Sequence, residues 1–313
     1  MPQIRPLLGW LRRGIDRVGR ALEHPAVTPG VFIAFGAFLV MIWVTAASGA
    51  PYIGYDAHAY YQAAALHDPY RATINGGFDA TGGLYEYKYP PPLAQLLAPV
   101  HLVGISWPLF LTAWIAVLLL ALWRVGGRWT LLLLLFPPVL GELWLGNLNI
   151  LLGLAVVLGT RWPSAWAFIL LTKITPGVGL LWFAVRREWR ALAIALGVTA
   201  GIAVVSLVLA PGLWTDFIAA SRTQLGATVD VPRQAVPIPL PLRLAVAAVL
   251  VVWGARTDRA WVLPIAVGVS VPFLWWNVFA TMVAAIPLAS WRPSAARAAD
   301  GAIADRPAAS ATL

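Results

Sequence analysis

Residues 27–48 have the sequence VTPGVFIAFGAFLVMIWVTAAS and contain no charged side chain. About 20 consecutive apolar residues are enough for a helix to cross the roughly 30 Å hydrocarbon core of a bilayer. Further apolar stretches follow along most of the chain. Lipid leaves an unpaired backbone group without a hydrogen-bond partner, whereas a helix pairs its own backbone. The chain is therefore predicted to be a polytopic α-helical membrane protein.

Composition supports this class and excludes others. Charged residues make up 11% of the chain and the mean hydropathy is +0.77, whereas about a quarter of the residues in a soluble domain are charged. The alternating pattern of a membrane β-barrel is absent. The net charge of +9 comes from arginines clustered between apolar spans, which is the positive-inside pattern rather than a nucleic-acid surface. There is no cysteine, so disulfide and thiol chemistry are excluded.

The charge pattern predicts three parts: a basic cytoplasmic segment 1–27, a transmembrane domain 28–291 with outer loops 49–92 and 211–241, and a disordered cytoplasmic tail 292–313. The first segment could lie as an amphipathic helix on anionic lipid, but an orientation signal is the simpler interpretation. Eight to ten spans are expected. Residues 165–185 are predicted to form a hairpin with its tip at Lys173, because Pro176 breaks a helix there. A single span with Lys173 buried and paired to Glu142 is the alternative.

A polar, aromatic island separates the first span from the apolar remainder. It includes GYDAHAYYQ at 54–62 and YEYKYPPP at 85–92. In a short helix Asp56 and Tyr60 share a face. Asp56 is then either a general base at the mouth of a membrane cavity or the N-cap of that helix.

The chain has only two lysines, Lys88 and Lys173, against 20 arginines. Both lysines occur in proline-containing motifs, YEYKYPPP and LTKITP. A lysine binds phosphate as a compact point charge, and an ionisable group at membrane depth implies a role. We therefore expect both to bind an anionic group, with interfacial snorkelling as the alternative for Lys88. The arginine excess and abundant alanine indicate a GC-rich bacterial genome.

Two amides, Asn147 and Asn149, lie in the sequence GNLN that joins two apolar stretches. They either satisfy backbone groups at a broken helix or bind a sugar or phosphate. No histidine or acidic pattern indicates a metal, and no glycine loop indicates a nucleotide. We therefore expect neither a metal nor a cofactor.

Taken in order, YDAHAYYQAA, DPY, YEYKYPPP, GNLN and KITPG followed by RREWR resemble the glycosyltransferase family 87 group of GT-C enzymes. The matches lie between Gly54 and Arg190. The resemblance implies a GT-C-like, all-α membrane bundle that transfers a sugar, mannose being the first expectation, from a polyprenyl-phosphate donor to a glycolipid or glycan. Two departures are the short chain, 313 residues, and Asn147 where the family has glutamine.

The resemblance also assigns roles to residues. Asp56 matches the family's loop aspartate and would be the general base of one inverting displacement at the outer face of a bacterial plasma membrane. Cations would stabilise the leaving phosphate. The candidate phosphate- and substrate-binding residues are Lys88, Lys173, Arg222, Tyr60, Tyr87, Tyr89, Asn147 and Asn149.

The main alternative is a transporter or flippase of lipid-linked or small polar solutes. That class has ionisable residues at the midplane of broken spans, often within inverted repeats. Only Lys173 and Glu142 fit such an arrangement, and the sequence shows no repeat. The clustering of ionisable groups in the first outer loop favours the enzyme.

Overall fold

The structure is a computed structural model that describes residues 4–25, 27–49, 53–71, 87–226 and 237–291. These ranges are 77% helical and contain no β-strand, which confirms the all-α membrane bundle. The α-helices in chain order are α1 Ile4–Ala21, α2 Val27–Ala47, α3 Tyr55–Ala63, α4 Pro91–Leu97, α5 Pro99–Leu102, α6 Trp107–Gly126, α7 Thr130–Leu133, α8 Pro137–Leu145, α9 Asn149–Gly159, α10 Trp166–Leu170, α11 Leu181–Val185, α12 Trp189–Leu209, α13 Pro211–Gly226, α14 Leu240–Arg256, α15 Val262–Val269 and α16 Ala285–Leu288. Short 3₁₀ helices occupy Gly127–Trp129, Pro163–Ala165, Thr175–Leu180 and Trp276–Ala284.

Three helical segments in the described part of the chain are long and apolar enough to cross a bilayer: Val27–Ala47, Trp107–Leu133 and Trp189–Leu209. A fourth candidate is the bent pair α8 and α9. The other apolar helices are shorter, because proline and glycine interrupt them. The expected count of eight to ten spans therefore stays a prediction.

The chain bends by 109° between α8 and α9. The break falls at the GNLN sequence, where Gly146 ends α8 with a φ of +68°. A β-carbon on Gly146 would lie 2.6 Å from Cβ of Ala57 on α3. Glycine is thus required here both by the left-handed backbone and by the close approach of α3.

Residues 165–185 form the predicted hairpin. The arm of α10 ends at Leu170, and the returning arm comprises the 3₁₀ helix Thr175–Leu180 and α11. The two arms pack on each other, since the Trp166 indole covers Gly179 and lies 6.2 Å, centroid to centroid, from the Phe183 ring. Lys173 therefore lies at the turn between the arms.

Two segments that flank the apolar spans contain helices. The basic segment 1–27 contains a regular helix, α1, and the first half of the predicted outer loop 211–241 is the 16-residue helix α13. The tail 292–313 and residues 72–86 of the polar island lie outside the described residues. The disorder predicted for the tail therefore remains a prediction.

The two larger apolar clusters of the described residues hold the bundle together. The first packs α2, α3 and α6 around side chains such as Ile42 and Ile115, and the second packs α9, α14 and α15 around Val156 and Val251. The GNLN bend starts in the first cluster, and α9 runs from it into the second. The polar groups at the bend are thereby fixed between two packed regions.

Candidate active site

The short helix α3 carries Asp56 into the bundle. Its N-cap is Gly54, whose φ of 63° is left-handed and whose amide donates to the Trp144 carbonyl at 2.8 Å. A β-carbon at Gly54 would lie 2.5 Å from Cδ1 of Leu111. Gly54 therefore attaches the start of α3 to the end of α8, and both its left-handed backbone and the close approach of Leu111 on α6 favour glycine.

Asp56 lies in the first turn of α3 and does not cap it. The cap position belongs to Gly54, and no side chain donates or accepts a capping hydrogen bond there. Instead, Oδ2 of Asp56 accepts a 2.7 Å hydrogen bond from Nδ2 of Asn147, 91 residues later in the chain. The N-cap alternative for Asp56 is therefore wrong.

Asn147 is oriented by its own backbone. Its Oδ1 accepts a 2.6 Å hydrogen bond from the amide of Leu148, which fixes Nδ2 toward Asp56. The preceding carbonyl, of Gly146, accepts a 2.7 Å hydrogen bond from Nε1 of Trp114. The turn thus presents the amide to the carboxylate in a fixed direction.

The second amide of the turn connects a buried carboxylate to a lysine. Glu142 is fully buried and accepts hydrogen bonds from the backbone amide of Asn149, from Nδ2 of Asn149 at 2.8 Å and from Nδ2 of Asn277 at 2.9 Å. Oδ1 of Asn149 accepts a 2.9 Å hydrogen bond from Nζ of Lys173. Lys173 therefore reaches Glu142 only through Asn149, at the hairpin turn, and the two described side chains do not form the direct pair suggested for a single span.

Two of the predicted tyrosines meet at this turn. The Tyr60 and Tyr89 hydroxyls are 3.0 Å apart, and the Tyr60 hydroxyl donates to Oδ1 of Asn147 at 3.5 Å. The Tyr70 hydroxyl donates to the carbonyl of Tyr89 at 2.7 Å, which holds that residue in place. Tyr87 is buried behind them, and its hydroxyl donates to the Pro90 carbonyl at 3.2 Å.

The remaining predicted cations lie further out. Lys88 is exposed, with its ammonium 5.4 Å from the centroid of the Phe273 ring. Arg222 is exposed on α13, and no hydrogen bond or ion pair joins it to the described part of this cluster. The structure thus brings together Asp56, Tyr60, Tyr89, Asn147, Asn149 and Lys173, keeps Lys88 near them, and leaves Arg222 apart.

Burial dominates the electrostatics at Asp56. It raises the pKa of the carboxyl group above its usual value, against the opposing effects of the Asn147 hydrogen bond and the positive charges of Lys173 and Lys88. The neighbouring His58 stacks on Trp107 with ring centroids 4.2 Å apart, and burial lowers the pKa of its imidazole to about 4. At neutral pH the imidazole is therefore uncharged.

The cluster combines the groups needed to move a proton and to hold an anion. Asp56 offers a carboxylate with one oxygen oriented by Asn147, and Lys173 offers an ammonium group on the other side of the same turn. Three or more acidic or histidine side chains do not converge as a metal site anywhere in the described ranges. The arrangement suits general-base and electrostatic chemistry.

Sequence reasoning missed the partners that organise the cluster. Asn277 was not singled out, although its amide contacts Glu142 across 135 residues. Arg243 was also missed: it is buried, and its guanidinium donates to four carbonyls, those of Ile238, Val269, Val271 and Pro272. The sequence signal for Arg243 was a charged residue at the start of an apolar stretch.

The fold and the cluster define an all-α membrane protein with a carboxylate, two amides and an ammonium group at a broken helix pair. The family model of glycosyltransferase family 87 matches residues 87–304, more than half of the chain, and the chain belongs to that family. It is accordingly a membrane glycosyltransferase, with a sugar donor and an acceptor as substrates. Neither the curated proteins nor the solved structures gave a match. The matched region contains both lysines and the GNLN turn but begins after Asp56.

Proposed function

We propose that the protein transfers a sugar, mannose in the first instance, from a polyprenyl-phosphate donor to a glycolipid or glycan acceptor at the outer face of a bacterial plasma membrane. Family membership supports the transfer of a sugar. The membrane setting supports a lipid-linked donor, because such a donor presents its phosphate at the bilayer surface.

The observation that carries the proposal is the arrangement around the GNLN turn. One amide of this turn binds the Asp56 carboxylate at 2.7 Å, and the other binds the Lys173 ammonium at 2.9 Å. A base and a cation are thus fixed by two residues of one rigid turn. A glycosyl transfer needs these two functions on either side of the reacting carbon.

In the proposed step Asp56 accepts the proton of an acceptor hydroxyl as that oxygen attacks the anomeric carbon. The bond between the anomeric carbon and the phosphate oxygen breaks, and polyprenyl phosphate leaves with both electrons of that bond. One displacement inverts the anomeric configuration and needs one base. Lys173, with Lys88 at the rim, offsets the negative charge that develops on the leaving phosphate.

The tyrosines and the amides complete the proposed sugar site. The hydroxyls of Tyr60 and Tyr89 point at the same turn as Asp56, and each can donate to or accept from a sugar hydroxyl. Tyr87 supports them from behind. Arg222 is exposed on α13. We keep it as a candidate contact for the phosphate or acceptor, which it would reach only if that helix moved.

The test is transfer by purified, reconstituted protein from synthetic polyprenyl-phosphate mannose to lipid extracts, with the arabinofuranose donor in parallel. We expect a glycosylated lipid whose new linkage, read by NMR coupling constants, is inverted relative to the donor. A retained configuration would refute the single displacement. Absence of transfer from both donors, together with movement of the labelled donor across the liposome bilayer, would replace the enzyme with a flippase.

A further inference from the structure

A cleft lies at the start of α2, away from the proposed active site. It has a volume of about 460 Å³, within the range of ligand sites. It lies between the α1–α2 connection and the end of α6. The residues that line it are Leu22, Glu23, His24, Pro25, Val27, Thr28, Val31, Trp123, Arg124, Gly127 and Arg128.

The lining combines charged and apolar side chains. Two arginines, Arg124 and Arg128, line the cleft together with a single carboxylate, Glu23, which forms an ion pair with Arg128. Val27, Val31 and Trp123 are the larger apolar side chains of the lining. A cleft with both arginines and apolar side chains fits a ligand with an anionic head and an apolar tail.

Helix α1, which leads into the cleft, has an apolar face and a basic face. Ile15 and Val18 are 57% and 42% exposed, and at helical spacing they share a face with Leu22 in the cleft. Arg13, Arg17 and Arg20 share the opposite face. Arg128 packs on the last turns of α1, since a β-carbon at Gly19 would lie 3.3 Å from its Nη2. The exposed apolar stripe therefore leads directly into the cleft.

We propose that this cleft binds an anionic phospholipid of the cytoplasmic leaflet, with the phosphate on Arg124 and Arg128 and an acyl chain along Val31 and Trp123. Charge complementarity selects the occupant. Basic segments beside a membrane span attract anionic headgroups, and an exposed apolar stripe on a basic helix lies in the interface. A zwitterionic lipid carries the same phosphate, but the quaternary ammonium of its own headgroup offsets that charge, so it would compensate the two arginines less well.

The experiment uses full-length protein in detergent micelles, titrated with phosphatidylglycerol, phosphatidylcholine or glycerol phosphate. Lipid retention is measured by native mass spectrometry, and the thermal unfolding midpoint is measured in parallel. We expect phosphatidylglycerol to bind saturably and to raise the midpoint, and the other two probes to have no such effect. An equal effect of phosphatidylcholine, or saturation by glycerol phosphate alone, would overturn the proposal.

Variants locate the site. Arg124→Gln and Arg128→Gln are each expected to weaken phosphatidylglycerol binding about tenfold, because each removes a charge-assisted hydrogen bond to phosphate. The matched control is Arg190→Gln, an exposed arginine that does not line the cleft. Both cleft variants binding like the wild type, or Arg190→Gln losing as much affinity as they do, would show that the lipid binds elsewhere.

Discussion

Replacing Glu142 by glutamine tests the polar network at its most buried point. The carboxylate is 0% exposed and accepts three hydrogen bonds, two from Asn149 and one from Asn277. Glutamine has nearly the same size, but its amide nitrogen must face one of these donors. One charge-assisted bond is lost and one buried donor is left unpaired, so we expect the free energy of unfolding to fall by about 2–4 kcal/mol.

The same change should reduce transfer. Without the carboxylate, Asn149 no longer holds Lys173 in its present position, and the GNLN turn that carries Asn147 loses its anchor. A displacement of about 1 Å at a reacting group can cost on the order of 100-fold in rate. We therefore expect kcat to fall about 10- to 100-fold.

The assay is denaturant-induced unfolding in micelles together with steady-state transfer. Glu23→Gln is the matched control and should stay near wild type, because exposed ion pairs contribute little. Adding Asn277→Asp to Glu142→Gln restores a donor–acceptor pair with the charge on the other partner, so the double variant should recover part of both losses. Wild-type stability and rate in Glu142→Gln would refute the reasoning.

Three further predictions concern other polar residues. The transfer rate should fall on acidification at a pH above the pKa of an ordinary aspartate, because burial raises the pKa of Asp56. Asn147→Ala should move this fall to still higher pH, because it removes the hydrogen bond that favours the carboxylate. The pH–rate profiles of both proteins check this, and an unshifted profile would contradict it. Lys173→Met should lower kcat by about 10²–10³ if its ammonium faces the leaving phosphate, whereas Lys88→Met, at an exposed position, should cost less; steady-state kinetics with the lipid donor decide, and the reverse order would place the phosphate at Lys88. Arg243→Met should destabilise the protein by about 3 kcal/mol or more, because four carbonyls lose a charged donor; unfolding of this variant beside Arg259→Met checks it, and equal stability of the two would refute it.

The sequence predicted the elements of this molecule better than their partners. Apolar length and arginine placement predicted the helical membrane bundle, and Pro176 predicted the hairpin at Lys173, because these signals are local. The lysine and GNLN motifs were singled out because polar groups are rare in an apolar chain. The structure brings Asn149 and Lys173 together with Asp56 in one cluster, and their roles in the reaction stay a prediction.

The pairing within the cluster depends on tertiary packing. Asp56 and Asn147 are 91 residues apart, and Glu142 and Asn277 are 135 apart, so no spacing rule connects them. The N-cap interpretation of Asp56 failed because the left-handed Gly54 occupies that position, and its conformation follows from the contact with α8. Arg222 was placed in a loop by the sequence but lies exposed on helix α13, and its role as a substrate contact stays a prediction.

The central claim is that Asp56 is the base of a sugar transfer. The most direct measurement compares wild type with Asp56→Asn in transfer from polyprenyl-phosphate mannose to endogenous lipid acceptors, with donor binding measured on the same preparations. Asparagine keeps the size of the side chain and removes the proton acceptor. We expect Asp56→Asn to abolish transfer while donor binding persists. Equal transfer by the two proteins would contradict the assignment of Asp56.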